Sequence, residues 1–370
     1  MNHAVVGKNL RKPRVLVAPL DWGLGHASRS IPVIRELLKQ GAECWLAGEG
    51  AQEKLLRMEF PILPFITLKG YRVKYAATAP GLVRQLIVQS PRILRRISLE
   101  NSWLKAVVKQ HGFNAVISDN RYGLYHKDIP TVFITHQLTI KSPLGSWGEQ
   151  LLQRVNYNYI ERFTECWVPD LQGIENLSAG LSHPLRLPPA PTFYIGPLTR
   201  FHPLPQDVVK DHLLCILSGP EPQRTLLENK IIRDIAHYHG TATIVRGLPG
   251  EHKIIPSTSM LRFYNHMPAE ELNREISKAE YVISRSGYST IMDLMALHKK
   301  SILIPTPGQS EQEYLASHLL KKGYAFTMDQ KKFTIQSALQ QAGHFNYRLP
   351  TFGMNHLLSE RVAELLRKSG

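Results

Sequence analysis

Acidic residues are in short supply here: 30 Asp and Glu stand against 45 Lys and Arg, a formal net charge of +15 over 370 residues. So basic a balance asks for an anionic partner, whether nucleic acid, an anionic membrane surface or a phosphorylated substrate, and does not choose among them. Cysteine is scarce as well. Cys44, Cys166 and Cys215 are odd in number, far apart and set in apolar segments, which favours buried free thiols over a disulfide or a metal site. No stretch approaches the roughly 18–20 apolar residues of a membrane-spanning helix. The short apolar run Val15–Leu20 leads straight into a glycine loop, unlike a secretory signal, so a cytoplasmic protein is expected. No His/Asp cluster has metal-ligand spacing, and a metal-free site without a cofactor is the expectation.

What the chain does have is alternation. Arg14 to Leu20 reads as a buried strand, Asp21 to His26 as a loop, about Ala27 to Gln40 as a helix stopped by Gly41, and Cys44 to Ala47 as the next strand. Further strands are expected at Ala115–Ser118, Thr131–Thr135 and Cys166–Val168. Leu187 to Pro205 is a proline-rich stretch, after which the rhythm restarts: strands at Leu213–Leu217, Ala242–Arg246, Leu261–Tyr264, Tyr281–Ser284 and Ser301–Ile304. Helices are expected at Gln223–His239, about Tyr288–Leu297 and Glu311–Lys322. The fold class is therefore α/β, with two doubly wound Rossmann-like halves facing across a cleft at 13–190 and 206–350 and a last helix within 353–370 that packs back.

Four segments sit where strands give way to helices, the edge at which such sheets bind ligands. Asp21-Trp22-Gly23-Leu24-Gly25-His26 combines glycines for close backbone approach with an imidazole able to accept a proton near neutral pH; a tight turn with a capping histidine has the same spacing. It is not the dinucleotide fingerprint, because Gly23 and Gly25 lead to Ser28. Arg285-Ser286-Gly287-Tyr288-Ser289-Thr290 opens a helix whose free amides suit a diphosphate, and Asp293 lies one turn in, placed to accept ribose hydroxyls; a serine cap with an acidic turn is the plainer alternative. Gln312 and Glu313 open another helix, where they suit sugar hydroxyls or a solvated turn. Ser218-Gly219 precedes Arg224, which suits phosphate or an ordinary surface.

In this order the segments resemble the GT-B glycosyltransferases, and within them the family of the bacterial enzyme that adds N-acetylglucosamine to a lipid-linked peptidoglycan precursor, glycosyltransferase family 28. The likeness runs over nearly the whole chain and is sharpest from Phe263 to Tyr314. It implies a donor-binding C-terminal half and an acceptor-binding N-terminal half, with a UDP-sugar as co-substrate. Arg285 to Thr290 resembles the donor diphosphate loop, and Asp293 stands where the family has a ribose-gripping glutamate. Tyr264 is at the position whose backbone reads uracil, and Gln312 matches a glutamine holding the donor sugar, while Glu313 replaces a second glutamine. Gly23-Leu24-Gly25-His26 resembles the family's glycine loop, and His136-Gln137 the start of a histidine-glutamate-glutamine motif facing the acceptor, here without its glutamate. The base is then His26, with Asp119 a second candidate.

From Lys69 to Lys109 there are nine Lys/Arg and a single acid, Glu100, with Leu82, Val83, Leu86, Ile87, Ile93, Leu94 and Ile97 interleaved among Arg84, Arg92, Arg95 and Arg96. That pattern suits an anionic bilayer carrying a lipid-borne acceptor, or equally an amphipathic helix with its apolar side in the core; Pro91 is expected to break it. The resulting expectation is an inverting glycosyltransferase, peripheral on the inner face of the membrane. A nucleotide-sugar 2-epimerase of the same fold and a non-catalytic sugar-nucleotide sensor stand beside it. A nucleic-acid-binding protein is disfavoured because no aromatic-basic stacking motif is present. Oligomeric state is not readable from the sequence.

Overall fold

The computed structural model describes residues 12–72, 79–142, 145–352 and 356–369, with side chains from 89 onward in the helix that begins at 79. The N-terminal half runs β1 (Arg14–Pro19), α1 (Leu24–Lys39), β2 (Glu43–Gly48), α2 (Gly50–Glu59), β3 (Phe65–Thr67), α3 (Ala79–His111), β4 (Ala115–Asp119), β5 (Thr131–Ile134), α4 (Gly145–Ile160), β6 (Glu165–Val168) and β7 (Thr192–Tyr194). The C-terminal half runs β8 (His212–Ile216), α5 (Gln223–Ile235), β9 (Thr241–Val245), β10 (Leu261–Tyr264), α6 (Ala269–Lys278), β11 (Tyr281–Ser284), α7 (Tyr288–Ala296), β12 (Ser301–Leu303), α8 (Ser310–Lys322), β13 (Phe326–Thr327), α9 (Ile335–His344) and α10 (His356–Ser369).

All pairings are parallel, in a seven-stranded sheet ordered β3-β2-β1-β4-β5-β6-β7 and a six-stranded sheet ordered β10-β9-β8-β11-β12-β13. Helices cover both faces, so the central strands are apolar on both sides: Val15 to Ala18 of β1 are at most 1% exposed. Strand order reverses between β1 and β4 and again between β8 and β11, and the two crevices that result carry the expected site residues. The last strand of the first sheet, β7, lies inside the proline-rich stretch. Cys44, Cys166 and Cys215 are buried and unpaired.

Two features hold the halves together. One apolar cluster runs from Ala27 and Ile31 of α1, through Leu198 of the linker, to Ile291 and Met295 of α7. Beyond it, α10 crosses back to the N-terminal half, where Ser359 Oγ donates to Glu36 at 2.7 Å and Lys368 and Arg361 both meet the buried Glu165.

Two expectations are corrected. Helix α1 starts at Leu24 rather than Ala27, because Gly23 at φ +78° makes the turn and brings His26 into the first helical turn. Helix α3 passes through Pro91 unbroken for 33 residues. A proline removes only one N–H bond of the ladder, and the turns on either side continue.

Candidate functional site

The N-terminal wall is built at the β1/β4 reversal. Pro19 pairs with Asp119 in register, so the first turn of α1 faces the end of β4. His26 Nδ1 lies 2.9 Å from Asp119 Oδ1, and Arg29, one turn further along the same helix face, grips the same carboxylate with Nε 2.6 Å from Oδ2 and an NH2 group on Oδ1. Burial alone would raise the Asp119 pKa, but the Arg29 charge, His26 and their hydrogen bonds outweigh it and bring it down to about 2. The carboxylate is thus ionised. Asp119 can only accept from His26 Nδ1, whereas Arg29, with an NH2 group also 2.9 Å from Nδ1, can only donate to it, so the two partners favour opposite tautomers. With the proton on Nδ1, as a base facing the acceptor requires, Nε2 would carry the lone pair, and it has no hydrogen-bond partner among the described residues. Burial, followed by the Arg29 charge, lowers the His26 pKa below its ordinary value.

The C-terminal wall is built at the β8/β11 reversal. Arg285 is 1% exposed; its guanidinium donates to the carbonyls of Gln223, Ile304 and Pro305, and its buried Nε has no partner. No carboxylate pairs with it among the described residues, and burial brings its pKa down to about 10. The turn continues through Ser286, whose Oγ donates to the Gln312 carbonyl, and Gly287 caps α7. The first-turn amides of α7, at Tyr288, Ser289 and Thr290, lie beyond the reach of any intrahelical carbonyl, which is the arrangement an anion can use. Tyr288 itself turns into the N-terminal half: its hydroxyl donates 2.8 Å to the Pro169 carbonyl and its ring stacks on His136, with centroids 4.2 Å apart.

Asp293, one turn along α7, accepts from Thr199 Oγ1 at 2.6 Å, and burial raises its pKa to about 6. Arg200 lies beside it on the linker with its Nε buried and without a partner.

Across the cleft, His136 Nε2 meets Glu311 Oε1 at 2.8 Å, and Gln137 Nε2 donates to the other carboxylate oxygen. Helix α8 continues the contact with Tyr314 accepting from the Gly180 amide and Lys322 donating to the Ile174 carbonyl. The carboxylate that α8 offers to the cleft is therefore Glu311, one residue before the expected pair. Gln312 is held by the Thr306 amide and by Gln309, and Glu313 caps the Gly308 amide, so both side chains close their own loop.

Other expected residues fall as follows. Ser218 and Gly219 are exposed on the loop after β8, with Gly219 at φ +102°, and Tyr264 ends β10 half-buried. Arg224 is corrected: it is buried, with Glu221 at 2.6 Å and Glu228 at 3.1 Å, and its charge is matched within the half rather than offered to phosphate. Asp119, the second candidate base, has both its oxygens engaged by Arg29 and His26.

Arg29, Glu311, Thr199 and Arg200 were not singled out from sequence. The first had a signal, its i+3 spacing from His26, which puts both on one helix face. The other three meet the site only through tertiary structure.

On the outer face, Ile93 and Ile97 of α3 pack beside Trp22, Tyr71, Tyr122 and Tyr159, whereas Leu94 is 51% exposed. The side chains of Leu82, Val83, Arg84, Leu86 and Ile87 lie outside the described residues. Helix α4 adds an apolar face unnoticed in the sequence: Trp147, Leu151 and Val155, four residues apart, are 70%, 50% and 46% exposed. Among the described residues no helix is long and apolar enough to cross a membrane.

Residues 258–347 match the glycosyltransferase family 28 C-terminal domain. The chain is 23% identical over 325 residues, 85% of each chain, to the UDP-N-acetylglucosamine--N-acetylmuramyl-(pentapeptide) pyrophosphoryl-undecaprenol N-acetylglucosamine transferase of Haemophilus ducreyi. Among solved structures it is similar to the glycosyltransferase SnogD from Streptomyces nogalater, with TM-score 0.62 and 13% identity over 97% of this chain and 100% of that one. It is likewise similar to the spinosyn rhamnosyltransferase SpnG complexed with thymidine diphosphate, with TM-score 0.59 and 15% identity over 96% of each. The two sheets and their covering helices are those of the GT-B fold.

Proposed function

We propose that this glycosyltransferase of the GT-B fold moves a sugar from a UDP-sugar to a hydroxyl of a lipid-borne acceptor, by a single inverting displacement without a metal. The observation that carries the reading is Arg285, a buried cation with no acidic partner among the described residues, in the turn leading into α7. A buried charge without a counter-ion is costly, and a diphosphate on the α7 amides would supply one. Asp293 would take the ribose hydroxyls and Arg200 a phosphate or the ribose, while Glu311 faces the sugar. Uridine is preferred on the strength of the family 28 match and the donor in the relative's name.

In the reaction, His26 Nε2 removes the proton of the acceptor hydroxyl as that oxygen attacks the anomeric carbon. The bond from that carbon to the diphosphate oxygen breaks, and its electron pair leaves with the nucleotide, stabilised by the α7 amides and Arg285. The imidazolium that forms is held through Nδ1–H by Asp119. The apolar face of α4, with Leu94 and the arginines of α3, rests on an anionic bilayer at the inner face of the membrane.

The test is calorimetric titration with UDP, dTDP and GDP, followed by labelled UDP-sugars with a membrane lipid extract, with and without EDTA. Micromolar UDP binding, and label entering the lipid fraction regardless of EDTA, is the expected result. Conversion of the UDP-sugar with no acceptor would replace the reading with an epimerase. Folded protein that binds no nucleotide would overturn it.

A further inference from the structure

Arg29 is 2% exposed and sits between two histidines and two carboxylates. Its Nε and NH2 hold Asp119, and its NH1 lies 3.1 Å from His136 Nδ1. A guanidinium only donates, so His136 Nδ1 must present its lone pair. The ring proton of His136 is then on Nε2, where it donates to Glu311 across the cleft. A single side chain thereby dictates where the His136 imidazole carries its proton. The same chain of bonds runs from the end of β4 to the first turn of α8.

The electrostatics point the same way. A carboxylate alone beside an imidazole favours its charged form and would leave part of a base protonated and idle near neutral pH. Arg29 puts a compensating positive charge on that carboxylate and 2.9 Å from His26 Nδ1. The charged and titratable groups that face His26 are Arg29 from its own helix, Asp119 from β4, His136 after β5 and Glu311 from α8. On the α7 side stands Tyr288, whose hydroxyl is turned away to Pro169.

We propose that Arg29 is a positioning residue: it fixes His136 in the Nε2–H form that donates to Glu311, and its charge offsets that of Asp119 so that His26 stays a neutral base. The role rests on His26 being the base, but its primary test needs no substrate.

The full chain, labelled with 15N and 13C in histidine, is titrated by NMR as wild type, Arg29→Met and Arg29→Lys. The wild type should show Nε2–H for His136. In R29M the His26 midpoint should rise by about one pH unit, and the acid limb of kcat/KM should move with it. R29K keeps the charge and loses the fork, so its midpoint should stay near that of the wild type while kcat falls about tenfold. The Nδ1–H tautomer at His136 in the wild type overturns the proposal, even if R29M fails to fold. So does an R29M midpoint that does not move, or an R29K midpoint that rises by a full unit. These spectra would hold for a protein that transferred no sugar, so a failure of the transferase reading stays separate from a failure of this one.

Discussion

Ser289 Oγ donates to the Gly25 carbonyl at 3.0 Å, so the first turn of the candidate diphosphate helix is bonded directly to the glycine loop that carries His26. The contact explains why that loop needs glycine at this position. A Cβ on Gly25 would stand 2.9 Å from the same Oγ and 3.4 Å from Ser289 Cβ. The start of α7 and the loop that carries His26 are therefore tied by a backbone carbonyl and a hydroxyl, rather than by long side chains that could swing.

Gly25→Ala should leave the fold intact and push the two walls apart by a few tenths of an ångström. Displacements of this kind cost rate because the reacting atoms leave their attack geometry, and kcat should fall about 10- to 100-fold with UDP affinity little changed. The double variant G25A/S289G removes the clash and should recover part of the loss. Equal kcat in wild type and G25A would show that the contact is incidental.

His26→Ala should lower kcat by about 10²–10⁴-fold, the range for a positioned base, while calorimetry shows UDP binding as in the wild type. Asp119→Asn should be worse for the fold. It leaves the buried Arg29 without its counter-charge, and breaking a buried pair in this way costs about 3–5 kcal/mol in denaturant unfolding. An H26A enzyme that lost nucleotide binding along with transfer would place His26 in the donor site instead.

The fold was legible because its signals are local and repeated. Strands such as Val15–Ala18 are continuous apolar runs that alternate with helical segments along much of the chain, which is the grammar of a parallel sheet. The site was legible where a motif spans one turn, as in Gly23 to His26 and Arg285 to Thr290. It was not legible where the partners are far apart in the chain. Glu311 meets His136 at a separation of 175 residues, and nothing in the acidic first turn of α8 distinguishes it from Glu313. Arg224 and Arg285 show the same limit from the other side. Both are arginines near a strand end, yet the first is neutralised by Glu221 and Glu228 and the second is not. Only the packing tells them apart.

The pH profile of kcat/KM should have its acid limb below the ordinary histidine value of 6.5, because burial and then Arg29 lower the His26 pKa. The base works in its neutral form, so activity rises as pH climbs through that value and is level by neutrality. A limb above 6.5 in the wild type would mean that Asp119 controls His26 without compensation from Arg29.

Asp293 makes the last prediction, in which stability and binding move in opposite directions. Burial raises its pKa from 3.8 to about 6, with Thr199 and Arg200 opposing that rise only in part. A carboxyl whose folded pKa lies above its unfolded one favours the folded state fully below the unfolded value. That advantage is lost as pH rises through the folded value, here between about pH 4 and 6. At pH 7 the buried charge is thus a burden on the protein without nucleotide. Asp293→Asn keeps an oxygen for Thr199 and removes the charge, so it should stabilise the free protein at pH 7 by about 1–3 kcal/mol and make little difference below pH 4. The same change takes away the acceptor for two ribose hydroxyls, and UDP affinity should fall about tenfold. Thermal unfolding at pH 4 and pH 7, with UDP titration on the same samples, reads both effects. A D293N protein less stable than the wild type at pH 7 would mean that the carboxylate serves the fold, and unchanged UDP affinity would remove it from the donor site.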